Sequence, residues 1–486
     1  MYEPFDYSPG QAGLVAGGGR SNQQFADFYK AVAAGAQVDP TGLTGGAALR
    51  RESLEASIAT IIQKRKHLVA LNTFPTSKAT AVVDSWTRRD DVGGLDGSSV
   101  NRELDDANES TGSYEREIGI VKFLMDKRRV SGIAEIQSDY GLMSAIALET
   151  DNGSLKVASD VEWLTYYGDS SCDDAEFDGL FKQLSDLGGE NVIDLQGGTF
   201  SPDAREFVEA ASVITAKDHW GEATDFFASP KAQVDLNLTL GTAWRFNLTN
   251  RAEKAVVGSP VEAVNTGLSD VPIRAHIARF IQEGQAPFSV RGTKYAAFIV
   301  GTLSAPTAIV GTPAPDAGSL FTADKAGLYY YAAEAAASGI GRSALTKSAQ
   351  VTVAIGDSVT VAITEPVSQK GTHYILYRNN LNGADADGDF REMVRVPVNG
   401  GGTTTYVDAN QNIPGTSFVP VCTVLDDAIT VRRFGDQFRF PLWPTTKFEH
   451  PWLQLWFGYL RIAKPVQHVL IKNVLPNGAK WRPFNV

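Results

Sequence analysis

The sequence predicts an α+β chain of several domains, one of them an all-β sandwich inserted into another. Three observations predict it. Hydrophobic residues keep helical spacing from about Asp139 to Tyr167, short alternating strands crowd the region between residues 304 and 418, and strand-like aromatic sequence resumes after that region. A chain of 486 residues exceeds one ordinary core. Its 43% hydrophobic and 21% charged residues are a globular balance, and 46 glycines with 22 prolines point to many turns and long loops.

Residues 1–46 are rich in Gly, Ala and Gln and read as an arm. In residues 47–75, Leu54, Ile58, Ile61 and Ile62 repeat at helical spacing, so an amphipathic helix follows the arm. Residues 76–125 hold two alternating segments around a polar tip with the acidic run Glu103 to Glu109. They read as an extended hairpin with too little apolar surface to fold alone, which needs a neighbour to lie on. The span from Asp139 to Tyr167 predicts a helix about 40 Å long, with Gly153 bending or loosening it.

Ser201-Pro202 and Ser229-Pro230 each read as an N-cap followed by proline in the first helical turn, and Phe207, Ala211 and Ile214 give the first of these helices one buried stripe. Leu328-Tyr-Tyr-Tyr, Ala349-Gln-Val-Thr-Val, Val359-Thr-Val-Ala-Ile and His373-Tyr-Ile-Leu-Tyr-Arg are strands at sandwich-like spacing, so residues 304–418 form an independent sandwich. Phe434 to Leu442 and Trp452 to Ile462 return to the interrupted domain.

Chemistry is sparse. No phosphate-binding glycine loop, no His-Glu-x-x-His and no nucleophile elbow occurs, so no enzyme is expected. The six histidines lack metal-ligand spacing, and Cys172 and Cys422 build neither a disulfide framework nor a thiolate cluster, so neither metal nor cofactor is expected. Asp385-Ala-Asp-Gly-Asp389 reads as an acidic turn rather than a calcium loop, because the twelve-residue pattern is not met. Asp173 and Asp174 read as solvated charge.

The net charge of −12 argues against a nucleic-acid reader. The N-terminal residues show no signal peptide and no stretch is long and apolar enough for a membrane span, which leads us to expect a cytoplasmic chain without a membrane partner. Lys127-Arg128-Arg129 are open to two readings, contact with DNA or bridges to acidic neighbours such as the Glu103 to Glu109 loop, and the second suits an acidic chain better. Trp86, beside Arg88 and Arg89, is either an anchor on a neighbouring subunit or a core residue of its own domain.

The order of these elements resembles the tailed-bacteriophage major capsid fold of the Hong Kong 97 type. The likeness lies in Leu49-Arg-Arg-Glu-Ser-Leu-Glu opening a helix, Val83-Asp-Ser-Trp-Thr-Arg-Arg beginning the extended loop, Glu176-Phe-Asp-Gly-Leu after the long helix, and Asn191-Val-Ile-Asp-Leu-Gln-Gly-Gly. The insertion resembles an immunoglobulin-like or fibronectin type III-like module through Gly327-Leu-Tyr-Tyr-Tyr, Tyr374-Ile-Leu-Tyr-Arg and Thr405-Tyr-Val-Asp.

The resemblance implies an N-terminal arm (1–46), a helix leading into the extended loop (47–75), the loop itself (76–125) and a peripheral domain with a spine helix (126–219). It further implies a first axial part (220–303), the inserted domain (304–418) and a second axial and peripheral part (419–486). The function implied is self-assembly as pentamers and hexamers into an icosahedral virion shell around double-stranded DNA, bound without sequence specificity, after assembly in the host cytoplasm. A portal protein, a separate scaffolding protein and a decoration protein are the implied partners. The scaffold is separate because residues 1–46 cannot form a built-in coiled coil. Trp86, Arg88, Arg89, Glu103, Asp105, Asp106, Lys127, Arg128 and Arg129 are the candidate contacts between subunits. Lys78 is a conceivable cross-link donor, but the sequence assigns it no acidic catalyst. The rival functions are the shell of a cellular nanocompartment and, in a different class, a surface adhesin or glycan-binding protein.

Overall fold

A computed structural model describes residues 67–484 except 104–105, 107–108, 139–143, 244–260, 270, 292–302 and 445–446. The arm and the helix over residues 47–66 lie outside the described residues. The described elements begin with α1 (Val69–Thr73), β1 (Thr76–Lys78), β2 (Val83–Asp91), β3 (Ser113–Ile120), β4 (Lys122–Ser131), α2 (Gly132–Ser138), α3 (Ala145–Tyr167) and α4 (Leu180–Leu187). There follow β5 (Val192–Asp194), α5 (Arg205–Ile214), β6 (Asp225–Ala228), α6 (Pro230–Ala243), β7 (Ala263–Val264), β8 (Ile273–Ile277) and α7 (Phe288–Arg291). Next come β9 (Ala308–Pro315), β10 (Gly327–Tyr329), β11 (Tyr331–Ala337), β12 (Gly341–Arg342), β13 (Thr346–Lys347), β14 (Val351–Val353), β15 (Asp357–Thr364), β16 (His373–Arg378), β17 (Arg391–Pro397) and β18 (Thr403–Asp408). The chain closes with β19 (Ser417–Cys422), β20 (Ile429–Arg433), β21 (Phe438–Pro441), β22 (Glu449–Ile462) and β23 (His468–Val474).

A six-stranded mixed sheet, β5-β23-β19-β6-β8-β7, forms the centre. Its inner strands are buried on both faces, which is why they read as unbroken apolar runs such as Asp225-Phe-Phe-Ala and Ser417-Phe-Val-Pro-Val-Cys. Strand alternation deals their side chains to two cores. Phe226, Val419, Val421, Val469 and Ile471 meet Phe207, Ala210, Ala211 and Ile214 of α5 on one face, while Phe227, Phe418, Cys422 and Leu470 meet α3 and α4 on the other. Strands on both sides of residue 219 share this sheet, so the division expected between 126–219 and 220–303 cuts through one body.

A second sheet, β1-β20-β22-β21, is extended by β4 along β22. The long helix α3 packs across it. The helix begins at Ala145 rather than near Asp139, which together with Leu142 lies outside the described residues, and its 23 residues span about 34 Å. Gly153 lies within this unbroken helix. A side chain there would press on Gln454 and Arg128, so the glycine lets the helix approach the sheet closely. Near the other end, the fully buried Glu162 accepts backbone N–H groups of Val69 (2.9 Å), Ala70 (2.8 Å) and Leu71 (3.0 Å). These donors open α1 and have no partner within that helix. Burial pushes the Glu162 carboxyl upward against the pull of those amides.

The two serine-proline signals part ways. Ser229 Oγ accepts the Ala232 N–H and α6 starts at Pro230, as the pattern predicts. Ser201 caps nothing. Its amide and hydroxyl both donate to Glu206, at 3.0 and 2.5 Å, and α5 starts at Arg205 behind Ala204 in the left-handed conformation. The carboxylate of the first helical turn has captured the intended cap.

Between residues 308 and 408 the chain builds two antiparallel sheets, β18-β15-β9 and β12-β11-β16-β17 with β13, beside the pair β10-β14. Val359, Val361 and Ile363 from one sheet and Tyr331, Ala333, Tyr374 and Leu376 from the other share a core. At its end the buried Arg378 donates to Asp408 (2.6 Å) and Asn410 (2.7 Å) between the rings of Phe321 and Tyr329. Tyr331 also donates to Asp408, at 2.9 Å.

This sandwich is not independent. Residues 417 and 418 already belong to the central sheet, and Phe484, far outside 304–418, sits in the sandwich core. Asp173, expected in solvent, is buried and accepts the Ser338 N–H (2.9 Å) and Thr372 hydroxyl (3.0 Å) of the sandwich. Beside it Glu176 pairs with Arg395 at 3.1 Å, and Arg395 stacks on Trp163 of α3.

Two tests follow. Removing the Glu162 carboxylate by Glu162→Ala strands three amide donors, and the urea midpoint should fall by the equivalent of about 3 kcal/mol; an unchanged midpoint would show that the clamp is dispensable. Burial depresses His468, and likewise His373, from the ordinary 6.5 to about 4. Because each stays neutral in the fold but protonates in the unfolded chain, each contributes stability above pH 6.5 that is lost as pH falls toward 4, at up to about 1.4 kcal/mol per unit. Replacing His468 by Gln should therefore flatten the pH dependence of the unfolding free energy between pH 6.5 and 5; an identical slope would contradict the assignment.

Candidate interaction surface

The hairpin of β2 and β3 projects from the second sheet as a two-stranded ribbon. The expected loop over 76–125 is trimmed at both ends: residues 76–78 pair in parallel with β20, and residues from Lys122 onward pair with β22. Its root is polar and specific. Asp84 accepts Arg432 Nε (2.7 Å), Arg432 Nη2 (3.2 Å) and the Tyr459 hydroxyl (2.7 Å), while Arg432 also donates to Ser77. Burial pushes the Asp84 carboxyl up, but these hydrogen bonds and the charges of Arg432 and Arg461 outweigh it and hold it below the usual range. Opposite Asp84 in the ladder is Gly119, where the Tyr459 ring occupies the space a side chain would need.

Alternation divides the ribbon's residues between two faces. Asp84, Trp86 and Arg88 point one way. Trp86 is half-buried against the core of its own chain with Arg461 over its ring. Arg88 is surrounded by Asp90, Glu115 and Glu117, three carboxylates of its own hairpin. The opposite face carries Val83, Arg89, Tyr114, Ile118 and Ile120, all exposed, with Tyr114 and Ile118 above 60%. The tip adds exposed Val92, Leu95 and Val100 together with Glu103, Asp106 and Glu109. Asp105 lies outside the described residues.

A second uncovered surface lies on the sheet itself. From Glu449 opposite Ser131 to Gly458 opposite Lys122, β22 and β4 pair continuously, and β21 flanks β22 on the other side. Trp452, Gln454 and Trp456 face α3 and are buried. The other face presents exposed Phe123, Met125, Phe438 and Phe440, with Met125 63% and Phe440 52% exposed, around half-buried Leu453 and Phe457 and buried Leu455. The Phe457 ring meets those of Phe123 and Phe438 edge-on at 5.1 and 5.7 Å. Along β4 the same face continues into Lys127 and Arg129, both exposed, Arg129 lying 3.7 Å from Glu449. Arg128 points to the helix side, where it pairs with Asp126 (2.6 Å) and Glu149 (3.0 Å).

Of the nine residues singled out from sequence, Trp86, Arg88 and Arg128 are thus engaged within the chain. Arg89, Glu103, Asp106, Lys127 and Arg129 remain outward. The aromatic patch was missed, although Lys122-Phe-Leu-Met-Asp-Lys-Arg-Arg alternates in a way that sets Phe123 and Met125 on the face of Lys127 and Arg129. Among the described residues no group of three or more His, Cys, Asp and Glu is placed to hold a metal, and both cysteines are free and buried.

No family model matches the chain. The major capsid protein of Staphylococcus phage K is 23% identical over 475 residues, covering 92% of this chain and 95% of that protein. A chain of Enterococcus phage phiEF24C, provisionally named a major capsid protein, is 23% identical over 461 residues, covering 92% and 94%. Among solved structures, the capsid of the native GTA particle overlaps with a TM-score of 0.44 at 8% identity over 90% of this chain and 99% of that one. The capsid of cyanophage P-SCSP1u does so with a TM-score of 0.44 at 8% identity over 89% and 96%.

The hairpin root supplies a direct test. A Gly119→Ala side chain would collide with the Tyr459 ring that Asp84 holds, so it should loosen the root by about 1–3 kcal/mol. Amide exchange of Val83 to Trp86 should accelerate while that of β19 does not. Equal protection in the variant would mean that the root adapts without cost.

Proposed function

We propose that this chain is a major capsid protein of a tailed bacteriophage, a structural subunit rather than an enzyme. The observation that carries the proposal is near full-length similarity, over 92% of the chain, to major capsid proteins of such phages. The surfaces suit the role. A ribbon with exposed Val83, Tyr114, Ile118 and Ile120 on one face and an acidic tip, and a sheet with an exposed aromatic patch edged by Lys127 and Arg129, are complementary in polarity and charge. In our reading the ribbon of one copy lies across that sheet face of the next, with Glu103 and Asp106 toward Lys127 and Arg129. The exposed Arg89 belongs to the same contact.

Repeated around pentamers and hexamers, contacts that are weak singly close an icosahedral shell, because each subunit is held by several neighbours at once. The −12 net charge suits a container for DNA, since a lining that gripped phosphates would hinder movement of the genome. The sandwich, immunoglobulin-like in its two facing antiparallel sheets, would face outward. A scaffolding protein, a portal and a decoration protein remain the proposed partners, and the virion the proposed location.

Negative-stain microscopy of the expressed chain, with its scaffolding partner, tests this reading: closed shells support it, and monomers under every condition oppose it. Ile118→Glu with Met125→Glu should abolish shells while shifting monomer unfolding by no more than about 0.5 kcal/mol, since both sites are exposed. Shell formation undiminished in that variant would remove the two faces from the interface. Lys127→Glu with Arg129→Glu should also impair assembly, and Glu103→Lys with Asp106→Lys should restore it if the charges meet.

A further inference from the structure

The polypeptide returns to the sandwich after leaving it. Beyond β23 the Leu475 N–H donates to Gly198 O (3.0 Å) and the Asn477 N–H to Asp235, which ties the segment to the central body. Trp481 then donates its indole N–H to Asp389 O (2.8 Å) under the Arg391 guanidinium, and Gly415 is bare against the Trp481 ring, with no room for a side chain. The Leu381 N–H donates to Pro483 O (2.8 Å). Phe484 ends in the sandwich core, 6% exposed, with the Lys325 ammonium 5.5 Å from its ring centre. Lys325 in turn donates to Gln196 O of the central body at 3.2 Å.

At the opposite end of the sandwich are the buried contacts of Asp173 and Glu176 with Ser338, Thr372 and Arg395. Between the two ends, Glu334 accepts the Phe288 N–H (2.7 Å) and the Glu392 N–H donates to Gln285 O (2.8 Å).

We infer that residues 475–484 are a latch: they supply the last piece of the sandwich core, and they make the sandwich and the central sheet open and close as one unit. The sandwich strands are complete at Asp408, yet their core stays open at one end until Phe484 arrives. The insertion is therefore a fixed part of the subunit, held at both ends and along one sheet, and it gains its full stability only when the chain has been made through residue 484. This holds for the subunit whatever it assembles into.

The test compares amide exchange in the full-length chain at Tyr331, Tyr374 and Leu376 of the sandwich with Phe226, Val421 and Leu470 of the central sheet. In the unaltered chain the two groups should exchange through openings of similar free energy. The double variant Trp481→Ala/Phe484→Ala should raise sandwich exchange by at least about tenfold relative to the central sheet, the sign of a sub-global opening. An unchanged ratio would overturn the latch. Should the double variant fail to fold, Phe484→Leu serves: it keeps an apolar plug of smaller size, and a ratio raised by about threefold is expected, whereas equal exchange would overturn the inference. Val367→Ser, at a 99% exposed loop position of the sandwich, is the control and should leave the ratio unaltered.

Discussion

Much of this molecule depends on the pairing of β4 with β22, two segments more than 300 residues apart in the chain. That ladder fixes which side chains meet α3 and which are left to solvent. It also closes the loop that contains every other described element from α2 to β21. A register shift of one residue would either turn Trp452, Gln454 and Trp456 outward or bring Phe123 and Met125 against the helix. Gly153 sits where the helix crosses Gln454 and Arg128, so the same register sets the separation of helix and sheet.

Buried or half-buried carboxylates join the pieces that apolar packing leaves apart. Glu162 ties α1 to the long helix, Asp84 ties the hairpin to β20 and β22, and Asp173 ties the sandwich to the loop after α3. Each is surrounded by donors that compensate its lost hydration, as a buried charge requires. Such joints are directional. Hydrophobic contact would allow the elements to slide, whereas an anion facing two or three fixed N–H or O–H groups admits one placement.

Local patterns were legible where the physics is local. The stripe of Phe207, Ala211 and Ile214, the cap at Ser229 and the alternating strands between 308 and 408 follow from periodicity and turn chemistry. Where a residue's role is decided by something distant, sequence could not reveal it. Asp173 was drawn out of solvent by strands some 165 residues further along, and Gly153 answers to β22 rather than to its own helix. Of the candidate interface, the charged outward positions were legible, but the aromatic patch needed three strands from two ends of the chain to assemble it.

Anchorage of the sandwich at both ends also constrains how such a chain can change over evolutionary time. An appended module can be exchanged by recombination at two points, one before its first strand and one after its last. Here a foreign sandwich arriving between residues 304 and 418 would meet Phe484, Trp481 and Gln196, which stay behind with the recipient, and would lack the surfaces that receive them. Diversification of this insertion should therefore proceed by substitution within its exposed loops and outer sheet rather than by replacement of the whole, and its lineage should track that of the body it is fastened to.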